Sequence, residues 1–280
     1  MPDKSVFDQI SYDTSCLTTK RYSTSFSMAI RLLGKRFREP IYNVYGFVRF
    51  ADEIVDSFHG YDKSKLLRRF EEDTFLAIEE KISLNPILNS FQQTVNKYGI
   101  DHSLIHTFLK SMRMDLDQQQ HDKKSYDEYI LGSAEVVGLM CLRIFCDGNH
   151  ALYETLTPAA MKLGSAFQKI NFLRDLKEDT LELNRCYFPE LSVHAFNSES
   201  KRAIENDIDA DFHAGFEGIK QLPKHSRFGV YLAFIYYRSL YRKIQALCAE
   251  RVLKERIRIP DSQKMVLLAT SYIRHNLNLL

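Results

Sequence analysis

The chain has 280 residues, of which 45% are hydrophobic, 26% charged and 12% aromatic, a globular balance that excludes a disordered chain. Its 38 Lys and Arg against 36 Asp and Glu leave a net charge of +2, so bulk charge selects no polyanion, and nucleic acid is not expected as a partner. Five scattered cysteines (Cys16, Cys141, Cys146, Cys186 and Cys248) form no C-x-x-C pair, which argues against a zinc site or a disulfide framework. The N-terminus opens without an apolar signal core, and the best apolar run, residues 230–237, is only about two helical turns long. A cytoplasmic protein is expected.

In chain order, residues 41–58 carry Ile41, Val44, Tyr45, Val48 and Val55 at helical intervals. Asn85-Pro86 reads as a cap followed by proline in the first turn, with Ile87, Leu88, Phe91 and Val95 on one face behind it. Residues 117–127 are polar and read as a loop. Asp147-Gly148 is a hairpin signal, but helical patterns flank it. Residues 152–181 and 227–256 read as long helices, with residues 184–200 irregular between them. The prolines, among them Pro40 and Pro158, are taken as punctuation. The expectation is an all-α fold of ten to twelve helices in one domain, residues 1–280.

Two rows of carboxylates stand out. Asp52 and Asp56 lie four residues apart, one turn apart on one helical face. Asn171, Asp175 and Asp179 repeat that spacing twice. Like charges at this interval cost about 0.2–0.5 kcal/mol on an isolated helix. A lone D-x-x-x-D is ordinarily a solvated face with lysines one turn away, but Val48 and Gly60 flank the first pair at that distance, and the neighbours of both rows are apolar. Carboxylates near a core need a cation. Carboxylate and amide oxygens without His or Cys suit Mg²⁺ or Mn²⁺, which complete their shells with waters and substrate phosphate. Arg49 and Arg174, beside the rows, suit an anionic phosphorylated ligand.

These residues resemble the squalene/phytoene synthase family. Tyr22-Ser23-Thr24-Ser25-Phe26 is similar to its Ser-x-Ser-Phe segment, and Asp52-Glu53-Ile54-Val55-Asp56 to its first aspartate motif in the phytoene synthase form. Tyr129-Ile130-Leu131-Gly132-Ser133-Ala134 follows its mid-chain helix. Gln168 through Asp175, with Glu178-Asp179, resembles its most specific signature; Arg185-Cys186-Tyr187-Phe188-Pro189 and Leu240-Tyr241-Arg242 resemble later segments.

The resemblance implies an isoprenoid-synthase fold, a helical bundle in which the two rows face each other across a central cavity. It implies Mg²⁺ (or Mn²⁺) held by Asp52, Asp56, Asn171, Asp175 and Asp179, with Tyr129 and Gln168 at the cavity wall or mouth. It further implies diphosphate held by Tyr22, Ser23, Ser25, Arg49, Arg174, Tyr241 and one of Arg256 or Arg258. The implied reaction joins two allylic diphosphates at their C1 ends. Within the family, the motif form, the lack of G-x-G-x-x-G and the lack of a membrane anchor before Leu280 favour 15-cis-phytoene from two geranylgeranyl diphosphates, without NADPH. Squalene or dehydrosqualene from farnesyl diphosphate is the alternative, and a non-catalytic binding protein of the same fold a more remote one. Tyr22 stands where several relatives carry His. Glu135 stands where a small residue is usual, as either a surface charge or an extra polar group near the cavity. His121, in the polar loop, is expected to be solvated. A monomer is expected, with peripheral membrane contact for release of a water-insoluble product.

Overall fold

The computed structural model describes residues 3–117, 121–181, 187–189 and 196–276. Among them are thirteen α-helices and no strand. They are α1 (Lys4–Tyr22), α2 (Thr24–Arg31), α3 (Lys35–Asp56), α4 (Lys63–Glu80), α5 (Pro86–Tyr98), α6 (His102–Asp117), α7 (Lys123–Ile130), α8 (Val136–Cys146), α9 (His150–Leu181), α10 (Ser198–Gln221), α11 (Lys224–Gln245), α12 (Ala249–Val252) and α13 (Asp261–Asn276). A π-helical turn, Leu131–Glu135, joins α7 to α8, making one continuous rod, Lys123–Cys146.

Local chemistry explains the boundaries. The Asn85 side chain accepts from the Ile87 N–H, and Pro86 occupies the first turn of α5, where its missing N–H costs nothing. Asn197 and Ser200 form a reciprocal capping box that starts α10. Asp147 and Gly148 both take positive φ and turn the chain between α8 and α9.

Several expectations are corrected. Pro40 lies inside α3 rather than ahead of it, whereas Pro158 lies inside α9, in keeping with the helix read over residues 152–181. The helix read over residues 227–256 stops at Gln245; a single turn, α12, follows, and then chain without regular structure. Of the presumed loop 117–127, Asp117 closes α6 and residues 123–127 open α7, while residues 118–120 lie outside the described residues. Of the irregular stretch 184–200, residues 198–200 already belong to α10, and residues 184–186 and 190–195 are likewise not described.

One apolar cluster runs through the bundle from Cys16 to Ile257. Phe47 of α3 anchors it, stacked on Phe91 at 3.9 Å and on Phe70 at 5.5 Å. Burying each such ring stabilises the fold by about 1.5–3 kcal/mol. The rod Lys123–Cys146 is long and apolar enough to cross a membrane, but it is over half buried in the bundle and packs against α9, α6 and α3.

The joint between α9 and α10 is both close and charged. A Cβ on Gly218 would stand 2.4 Å from the Ala159 Cβ, so only glycine permits this approach. Alongside it, buried Asp211 of α10 accepts from Ser165 Oγ at 2.6 Å and pairs with Lys169 at 2.6 Å and Lys162 at 2.9 Å. Lys169 also pairs with Asp207 at 2.5 Å. Lys169 sits between Gln168 and Ile170, so the lock holds the back of the helix whose front carries the second carboxylate row.

Candidate active site

Two helices, α3 and α9, present regular faces to one central cavity of about 850 Å³. On α3 that face reads Ile41, Val44, Tyr45, Val48, Arg49, Asp52, Asp56; on α9 it reads Leu156, Ala159, Ala160, Leu163, Phe167, Gln168, Asn171, Asp175, Asp179. Both change from apolar to polar toward the helix C-terminus. The cavity therefore has a polar mouth and an apolar depth.

The mouth concentrates negative charge. Both carboxylate rows occupy the last turns of their helices, where unpaired backbone carbonyls add to the negative potential. The Asp52 carboxyl is pushed up to about 7, first by burial and then by the Asp56 charge, with Arg49 opposing. Its side chain remains a third accessible, and Asp52 lines the cavity. Among the described residues, no three His, Cys, Asp or Glu side chains converge to hold a metal unaided. Oxygen donors spread over two facing helices fit a hard divalent cation whose shell a phosphorylated ligand completes.

Cationic side chains interleave with these acids. Arg49 pairs with Glu53 and lies 3.6 Å from Asp52, with its guanidinium 4.3 Å over the half-exposed Tyr22 ring. Arg174 Nε donates to Asp175 Oδ1 at 3.0 Å. Arg256 reaches the same Oδ1 at 3.0 Å and Glu178 at 2.9 Å. Arg258 also lines the cavity. Ser23 and Ser25 stand at the start of α2, where Ser23 Oγ accepts from the Phe26 N–H at 3.2 Å.

The wall carries a second polar group. Tyr129 donates to Asp115 Oδ2 at 2.6 Å, and Tyr187 donates to Asp115 Oδ1 at 3.0 Å. Burial, followed by the Asp115 charge, holds the Tyr129 phenol well above its ordinary pKa, so it stays protonated. Nearby, Tyr237 stacks on Phe167 at 3.9 Å and donates to Asn171 Oδ1 at 3.2 Å. That amide in turn donates to Gln168 Oε1 at 3.4 Å.

Fourteen of the fifteen site residues read from the sequence thus line one cavity. Tyr241 does not: it is buried, and its hydroxyl donates to the Glu205 carbonyl at 2.7 Å on the α10 side. The α11 positions that do line the cavity are Gly229, Val230, Ala233, Tyr236, Tyr237 and Leu240. Of the further residues matched to the later motif, Arg185 and Cys186 lie outside the described residues. His121 is not solvated but 5% exposed, stacked on Tyr187. Glu135 is neither free surface charge nor cavity wall; it is half-buried beside Lys162 and Asp211, and burial raises its pKa.

Sequence reading missed Asp115, Tyr237 and Lys264, all of which line the cavity. Lys264, on α13, donates to Thr24 Oγ1 at 2.6 Å beside the α2 start. Asp115 carried one usable signal, being an acid set between Met114 and Leu116.

The sequence profile of the squalene/phytoene synthase family matches residues 19–263. The chain belongs to that family. It is 24% identical to the 15-cis-phytoene synthase of Synechococcus elongatus, covering 94% of this chain and 92% of that protein. It is 26% identical to the phytoene synthase of Pseudescherichia vulneris, over 84% and 82%. Against the chloroplastic phytoene synthase 3 of Zea mays it is 26% identical over 91% of its own length, spanning 64% of the plant protein. In fold it superposes on a ligand-bound dehydrosqualene synthase with a TM-score of 0.82 at 22% identity, covering 98% and 99% of the two chains. The isoprenoid-synthase fold expected from the sequence is therefore the fold observed.

Proposed function

We propose that the protein is a prenyltransferase that joins two geranylgeranyl diphosphates head to head, giving 15-cis-phytoene and two diphosphates, which take up the two protons lost from carbon, in carotenoid biosynthesis. The observation that carries this reading is the central cavity whose acidic and arginine-lined mouth leads into an apolar depth. Phytoene synthases at 24–26% identity over most of this chain support the choice of product.

Asp52, Asp56, Asn171, Asp175 and Asp179 would hold Mg²⁺, which, when bound, neutralises the diphosphate and makes it a leaving group. The chain's own groups do the rest. Arg49, Arg174 and Arg256 donate guanidinium N–H hydrogen bonds to diphosphate oxygens, exchanging carboxylate partners for phosphate. Ser23 and Ser25 add hydroxyl donors at the positive end of α2. Below them, apolar walls exclude water, so the allylic cation meets the other substrate's double bond rather than hydroxide. That attack, with loss of a proton from carbon, closes a cyclopropyl diphosphate, whose own diphosphate then leaves and whose cation rearranges in turn. Tyr45, Phe26, Tyr237 and Phe167, a row in which each ring lies within about 6 Å of the next, offer ring faces to the migrating charge. The neutral Tyr129 phenol, held by Asp115, presents its oxygen to the same space. Loss of a second proton ends the sequence, with no call for NADPH.

The protein is further proposed to act as a cytoplasmic monomer that touches a membrane peripherally to release its hydrocarbon. Liposome flotation that leaves all the protein at the bottom would refute the membrane contact.

Purified protein with Mg²⁺ and geranylgeranyl diphosphate should give a C40 hydrocarbon whether or not NADPH is present. A C30 product from farnesyl diphosphate alone would move the protein to the squalene or dehydrosqualene branch. No product from either substrate would leave a binding protein of the same fold.

A further inference from the structure

The cavity has a measurable depth. From Asn171, the lowest oxygen donor of the second row, its lining face descends α9 to Leu156, fifteen residues away. At 1.5 Å per residue that is about 22 Å. Each isoprene unit adds four C–C bonds of about 1.5 Å in zigzag, or roughly 5 Å of extended chain. A three-unit tail therefore ends at about 15 Å, level with Ala160, and a four-unit tail at about 20 Å, just above Leu156.

At that lower level the cavity is lined by bulky side chains from three segments: Leu156 of α9, Phe145 of α8 and Leu222, the residue that follows α10. All are buried, at 2%, 7% and 6% exposure. The floor is also fixed. His225 Nε2 donates to the Phe145 carbonyl oxygen at 3.0 Å, and its ring stacks on Phe37 at 4.1 Å with planes 12° apart. Above the floor, Ala160 contributes only a methyl group to the wall.

We propose that this distal compartment sets substrate length: Ala160 leaves room for a fourth isoprene unit, and Phe145, Leu156 and Leu222 stop a fifth. The inference rests on the prenyl-diphosphate reading and adds to it the residues that choose between C15, C20 and C25 tails. Nothing in the mouth can make that choice, because the diphosphate end is the same in all three.

The test is a competition. Wild type, Ala160→Leu and Phe145→Ala are each given Mg²⁺ with equal concentrations of farnesyl and geranylgeranyl diphosphates, and the C30 and C40 hydrocarbons are quantified. Each is then offered the C25 allylic diphosphate alone. Ala160→Leu should lower the C40 to C30 ratio by about 10- to 100-fold, the discrimination that a few methylenes confer in an apolar pocket. Phe145→Ala should accept the C25 substrate that wild type rejects. Should Ala160→Leu fail to fold by circular dichroism, Phe145→Ala decides alone. A wild type that makes C40, with an unchanged ratio in folded Ala160→Leu and no C25 turnover by Phe145→Ala, overturns the compartment and leaves the proposed reaction standing. A wild type that makes only C30, or nothing, overturns the reaction itself.

Discussion

Replacing Asp211 by alanine tests how the back of α9 is held. The carboxylate is 2% exposed, and it accepts from Ser165 and pairs with Lys162 and Lys169. Lys162 is half exposed and returns to water when its partner is lost. Lys169 is 7% exposed and cannot, although Asp207 keeps one contact to it. Breaking a buried pair by removing one member costs about 3–5 kcal/mol, and the surviving Asp207 contact puts the expectation at about 3. For a chain of this size that is roughly 6–12 °C in Tm. Urea denaturation followed by circular dichroism measures it directly. The triple variant Ser165→Ala, Lys169→Met, Asp211→Leu removes every stranded polar group and should lie within about 1 kcal/mol of wild type. The sign of the pH effect also follows. Burial raises the Asp211 pKa, but hydrogen bonds from Lys162, Lys169 and Ser165 outweigh it and leave the carboxyl below its ordinary value. Its stabilisation is thus complete above the ordinary Asp range and is lost as pH falls through the lowered value, so Asp211→Ala should have a flatter stability profile below about pH 4. A loss under 1 kcal/mol, or a triple variant no better than the single one, would refute the reasoning.

Three further outcomes are expected. Asp52→Ala or Asp175→Ala should reduce prenyl transfer by at least about 10³-fold with helix content unchanged, since each removes a cation ligand from the mouth; normal turnover in either would sink the metal assignment. Arg256→Ala should raise KM for the diphosphate substrate by about tenfold, the worth of one charge-assisted hydrogen bond, and steady-state kinetics would show it. Gly218→Val should force α10 off Ala159 and cost about 1–3 kcal/mol, read as a lower Tm, whereas unchanged stability would mean that the joint is looser than its 2.4 Å approach implies.

Both carboxylate rows were legible because a cavity-facing helix repeats every three to four residues, and that spacing is visible without any tertiary knowledge. Tyr241 shows where the same logic slips. The cavity face of α11 runs through Gly229, Val230, Ala233, Tyr236, Tyr237 and Leu240, and Tyr241 lies only about 40° past Tyr237, at the edge of that face, where its hydroxyl turns toward Glu205 instead. His121 was misread for a different reason: the ring that covers it, Tyr187, is 66 residues away in sequence, and burial by a distant segment leaves no local trace. Asp115 was hidden likewise, since its meaning comes from two phenols on other elements. The stop of α11 at Gln245 has no proline or glycine to announce it; packing of the following turn decides it.

That stop has a consequence for biosynthesis. Had α11 continued, Arg256 would stand about 16 Å beyond Gln245; instead the chain doubles back, and Arg256, Arg258 and Lys264 complete the rim. On a ribosome these residues emerge after both acid rows and most of the apolar lining are already made. Until they do, the nascent protein carries an open greasy well with an unbalanced ring of carboxylates, the kind of surface on which chaperones and neighbouring chains act. The order in which the rim arrives thus makes the interval before Arg256, Arg258 and Lys264 emerge the one in which this fold is most exposed to misassembly.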